Sequence, residues 1–109
     1  MKIRNFTGKT LRIINEKTGE EKVLEAEGKA HFEDTYGPET IVDGVPVVGE
    51  KVATLVDLPD KEEDTFIVVP WNIRSATNEL WERDDLLTAS IANSEETPTE
   101  IICNFLEKR

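Results

Sequence analysis

Through most of the chain, apolar residues fall at every second position or in short unbroken runs, the pattern of strands with one or both faces covered. Lys2 to Phe6 alternates, with Ile3 pointing away from Lys2 and Arg4. Thr7-Gly8 is a turn. Thr10 to Asn15 puts Leu11 and Ile13 on one face and Arg12 and Ile14 on the other. A turn at Glu16-Lys17-Thr18-Gly19 sends Glu21 to Glu25 back as the second arm of a hairpin, with Val23 inward. Ala30 to Glu33 is a weak strand centred on Phe32, and Tyr36-Gly37-Pro38 is a break. Ile41 to Val48 is the strongest hairpin signal. Asp43-Gly44 between two apolar runs suits a type I′ turn, whose central residues both need positive φ. Pro46 removes a ladder donor, which marks its strand as an edge or a bulge. Lys51 to Val56 alternates again, and Asp57 to Asp64 is a charged, solvated loop.

The period changes near Pro70. Phe66 to Val69, β-branched from Ile67 onward, reads as a buried strand. Pro70 suits a first helical turn, where its missing N–H costs nothing. Ile73, Ala76 or Thr77, and Leu80 follow at helical spacing, predicting one helix over 70–81. Asp84-Asp85 can cap a further short turn carrying Leu86 and Leu87. Ala89 to Pro98 is polar and turn-rich. Glu100 to Leu106 is a final strand with two apolar faces, as a central or covered strand has. The expected class is α+β, predominantly β, in a single domain over 1–109. It has about seven or eight short, mostly antiparallel strands in a partly closed sheet, with the helix plugging one end.

Composition narrows the function classes. The net charge of −10 opposes direct binding to nucleic acid or to an anionic membrane. No stretch approaches the roughly 18–20 apolar residues of a membrane-spanning helix. Met1 to Asn5 lacks the apolar core of a signal peptide. Cys103 is the single cysteine, so no internal disulfide forms, which suits a reducing cytoplasm. His31 is the single histidine, and no pattern of Asn or Asp ties it to Cys103. Glycine-rich phosphate loops, zinc spacings and the Gly-x-Ser-x-Gly elbow are absent, so catalytic residues, metal ligands and cofactors are not expected. Glu82, Asp84 and Asp85 suit helix capping or pairing with Arg83 better than metal ligation.

The first fifteen residues carry Lys2, Arg4, Lys9 and Arg12 and no acid. If Lys2–Phe6 pairs with Thr10–Ile14 through a three-residue loop, Arg4 falls opposite Arg12. Like charges so placed destabilise a sheet unless an acid or a bound anion sits between them. Nearby glutamates can neutralise the pair, and a phosphate can equally be clamped by it. Trp71 and Trp81, with Arg74 or Arg83, can form a stacking wall for a base. Both tryptophans also suit a plain core role.

Short motifs occur in a familiar order: Asn5-Phe6-Thr7, Gly44-Val45-Pro46-Val47, Leu58-Pro59, Ile67-Val68-Val69, Arg83-Asp84-Asp85-Leu86 and a last short strand. In this the chain resembles a family of small uncharacterised proteins of phages, prophages and plasmids that open Asn-Leu-Thr-Pro-His. It departs from them at Gly8-Lys9, in place of Pro-His, and at Val69-Pro70, where the family has a serine. The resemblance implies a phage-encoded accessory protein of the bacterial cytoplasm and supplies no activity. The leading expectation is a non-enzymatic counter-defence protein that sequesters a small anionic nucleotide signal. Arg4, Arg12, Arg74 or Arg83 would take phosphates, and Trp71 or Trp81 a base. A homo-oligomer is compatible, because a small domain forms a deep pocket more readily at a subunit interface. The alternative is an acidic mimic of nucleic acid that binds a basic host nuclease or effector.

Overall fold

A computed structural model describes residues 1–90 and 94–108. Part of the turn-rich stretch expected over Ala89 to Pro98 therefore lies outside the described residues. Two four-stranded sheets form the body. The first orders β1 (Lys2–Asn5), β8 (Thr65–Val68), β9 (Leu86–Ala89) and β12 (Leu106–Glu107). The second orders β10 (Glu95–Glu96), β11 (Glu100–Cys103), β2 (Thr10–Ile14) and β3 (Glu21–Leu24). Two further two-stranded pairs leave the body: β4 (His31–Tyr36) with β7 (Lys51–Val56), and β5 (Thr40–Val42) with β6 (Val45–Val47).

The buried strand at 66–69 is the hinge of this arrangement. Parallel neighbours flank β8, β1 on one side and β9 on the other. Val68 and its neighbour Leu87 on β9 face the second sheet, where Leu11 and Cys103 meet them. Ile67 and Val69 face the other way, onto Phe6, Ala30, Ile73, Leu80 and Leu86. Both faces are covered, so an unbroken β-branched run is what this position requires. Each buried aliphatic side chain contributes about 1.5–3 kcal/mol.

The chain is β-rich as expected, and the finer expectations need correction. The described residues hold twelve strands in four sheets, the two larger ones mixed and the two smaller ones antiparallel, all open rather than one partly closed sheet. The single helix over 70–81 is two short ones, α1 (Trp71–Arg74) and α2 (Asn78–Glu82). Thr77 causes the break. Its backbone is extended, and its hydroxyl accepts the Leu80 N–H at 3.1 Å, starting a new helix instead of continuing the old. Leu86 and Leu87, expected in a turn, lie in β9. The last strand divides at Asn104, because β11 pairs with β2 in one sheet and β12 with β9 in the other.

β1 and β2 do not pair with each other. Between them the chain crosses from the first sheet to the second, and Asn5 secures the crossing. Its buried amide donates to the carbonyls of Lys9 and Leu24 at 2.8 and 2.9 Å and accepts from Thr7.

The four strands outside the body form an arm. Phe32, Leu55 and Leu58 root it in the core, and β5–β6 closes its far end around Asp43-Gly44, whose φ values of 51° and 76° fit the expected turn. The radius of gyration is 17.7 Å and the extents are 66 × 31 × 22 Å. A compact chain of this size has a radius of gyration near 13 Å, so the arm projects well clear of the body.

Candidate functional site

The residues expected to bind a ligand separate into groups. Trp71, Arg74 and Trp81 come together where α1 meets α2. The tryptophan rings pack edge to face with centroids 5.8 Å apart, and the Arg74 guanidinium lies 5.7 Å from the Trp81 ring. Arg74 is nonetheless only 1% exposed, and it donates to the Leu86 carbonyl. A guanidinium so buried braces the helices on β9 and offers no open face to an anion. Trp71 is 45% exposed, which corrects the core role.

Arg4 and Arg12 are not opposite each other. Arg4 lies on β1 between Glu27, at 3.2 Å, and Glu62, at 2.5 Å, with its guanidinium 5.1 Å from the Phe6 ring. Partial burial opposes its charge, and the two carboxylates outweigh that, so its pKa is raised. Arg12 lies on β2 between Glu21 and Glu100, and hydrogen bonds to these two carboxylates raise its pKa as well. Arg83 forms a two-pronged bond with Asp85, at 2.9 and 2.6 Å, and also donates to the Pro59 carbonyl. Asp85 is buried, so this pair ties the acidic loop to the start of β9. Three of the expected phosphate ligands are thus already occupied by carboxylates of the same chain. Glu27, Glu62 and Glu100 lie far away in sequence, so local reading could not assign them.

A cleft of about 430 Å³ opens at the C-terminal ends of the parallel strands β8 and β9. Thr7, Pro70, Trp71, Asn72, Thr88 and Glu96 line it, and Lys9 bonds Glu96 at 2.7 Å. Its lining is mainly apolar, with Val69, Ala89 and Ile101 beside Trp71, and Lys9 balances Glu96, a poor match for a phosphorylated ligand. Cys103 is 1% exposed, and burial raises its thiol pKa. His31 bonds the Lys29 carbonyl and Glu33.

Ile41 to Val48 forms the hairpin its sequence predicts, and among the described residues nothing in the body covers it. Ile41 is 65% exposed and Val42 and Val45 each 57%; Tyr36, Val47, Val48 and Val52 are also exposed. Ile41 and Pro46 share one face of the hairpin, and Val42, Val45, Thr40 and Val47 the other, so apolar groups point outward on both. Such a concentration of apolar side chains on one projecting element is more than a solvent-facing surface usually carries. The available signal was apolar positions on both faces of a segment with too few neighbours in sequence to cover them. Among the described residues no helix is long and apolar enough to cross a membrane. No family model matches the chain, and no curated protein or solved structure matches it.

Proposed function

We propose that this chain is a phage-encoded counter-defence protein that acts without catalysis, by binding a basic protein of the bacterial cytoplasm. The observation that supports this reading is the arm, whose exposed apolar side chains form the kind of surface another macromolecule covers. The charge selects the partner. An excess of 23 acids over 13 lysines and arginines, with Arg4, Arg12 and Arg83 closed by acids, repels nucleic acid and anionic lipid and attracts a basic surface. Sequestration of a small nucleotide remains a second reading, supported by Trp71, which is partly exposed in the lining of the cleft at the strand ends.

The test is capture from bacterial lysate with the wild-type chain and with an Ile41→Ser/Val45→Ser variant. A basic protein retained at low salt, released at high salt and lost with the variant is the expected result. Identical capture by the variant would remove the arm from the function. A large thermal shift with a nucleotide, abolished by Trp71→Ala, would establish the second reading instead.

A further inference from the structure

At its tip the arm leaves the outer edge of β5 without a partner strand; nearer the body the outer edges of β4 and β7 are likewise unpaired among the described residues. Val42 and Val45 close the Asp43-Gly44 turn, so they form the hydrogen-bonded pair next to it. The following pair, Ile41 with Pro46, is then the kind that exchanges no backbone bonds. That is also the place in β6 where a proline costs no ladder bond. The N–H and C=O of Ile41 consequently point away from β6, onto the outer edge of β5. Among the described residues no third strand lies on that edge. The opposite edge is closed in kind, because Pro46 has no N–H to offer. Charge then constrains what fits. Glu39 and Asp43 stand two residues to either side of Ile41, and the rest of the arm adds Glu33, Asp34 and Glu50 against Lys51. Two copies paired about Ile41 would bring Glu39 of one against Asp43 of the other, and like charges so placed destabilise a sheet.

We propose that the outer edge of β5 receives an extended segment of a partner protein, carrying an apolar residue opposite Ile41 and a basic residue two positions to each side. Main-chain bonds to Ile41 give the attachment, and the alternate side chains give the selectivity. This rests on the protein-binding reading and specifies its contact.

The probe is the peptide acetyl-Lys-Thr-Val-Thr-Lys-amide, titrated into the ¹⁵N-labelled chain while amide exchange is followed. The expected result is protection of the Ile41 amide and shifts confined to residues 39–43. The peptide N-methylated at valine should have no effect, which leaves the protein itself unaltered. Glu39→Gln with Asp43→Asn should weaken binding about fivefold. Equal binding of the N-methylated peptide, or shifts spread over the acidic surface, would overturn the assignment. So would protection of Ile41 that rises with protein concentration alone, since that assigns the edge to a second copy. If capture from lysate depends on the arm and the peptide leaves Ile41 unprotected, the edge assignment fails and the protein-binding reading stands. Loss of arm-dependent capture overturns that reading itself.

Discussion

Gly37 and Gly49 meet backbone to backbone where the base of the arm passes into its tip. The Gly37 N–H donates to Glu50 at 3.0 Å, and the Gly49 N–H to Pro38 at 3.1 Å. A Cβ on Gly49 would stand 3.0 Å from the Gly37 Cα. The obstacle is backbone, which cannot swing aside as a side chain can. Gly49→Ala should therefore force the two strands apart, at a local cost of about 1–3 kcal/mol. Neither core includes this crossing, so the body should melt unchanged while amide protection falls over 40–47. A lowered melting temperature of the whole chain would show that tip and body fold as one unit.

Arg83 and Arg12 are both paired, and their loss should differ. Arg83→Ala leaves Asp85, 3% exposed, without its two-pronged partner. A buried acceptor stripped of its donor costs about 1–3 kcal/mol, which lowers the melting temperature of a domain this size by roughly 5–15 °C. Arg12 sits at 41% side-chain exposure between carboxylates that water can solvate equally well. Arg12→Ala should leave the midpoint where it is. Equal losses in the two variants, measured by calorimetry, would refute the distinction.

How much of this was legible beforehand depends on the range of the interactions. Phe66 to Val69 was readable because a strand covered on both faces must be apolar at every position. Asp43-Gly44 was readable because its turn demands positive φ. The parallel pairing of β8 with β1 and β9 was not, since its partners are brought from distant parts of the chain and leave no local trace. For that reason Leu86 and Leu87, preceded by two aspartates, looked like a capped turn. The helical spacing of Ile73 and Leu80 was real, yet it ran through Thr77, whose side chain competes with the helix for its own backbone. At the candidate site, the aromatic pair is legible because Trp71 and Trp81 fall on one expected helical stretch beside Arg74. Arg4 and Arg12 do not lie opposite each other because β1 and β2 belong to different sheets, and Glu62 and Glu100 reach them only in the folded chain.

His31 gives stability a pH dependence of defined sign. The backbone carbonyl of Lys29, 2.6 Å from Nδ1, and then Glu33 raise its pKa above the usual 6.5. The folded state thus binds the proton more tightly than the unfolded state. This contribution is fully present below about pH 6.5 and is lost as pH rises through the folded pKa. Because the ring is solvated, the effect is small. Urea midpoints should fall from pH 6 to pH 8 by more in the wild type than in His31→Gln. Parallel pH profiles in the two proteins would rule out His31 as the source.

Cys103 sits in β11 against Leu11, Val68 and Leu87, and burial raises its thiol pKa. Both conditions suppress attack, since the reactive species is the thiolate and a reagent must also reach it. Under native conditions at pH 8, a disulfide reagent such as 5,5′-dithiobis(2-nitrobenzoate) should react only through opening of the fold. The thiol should become fully reactive within seconds in denaturant. Leu11→Ala, which deletes a fully buried neighbour and costs about 2–5 kcal/mol, should speed the native reaction by at least tenfold if access requires opening of that core. A native rate already close to that of the unfolded chain would place the sulfur at the surface and would contradict the packing of the two sheets.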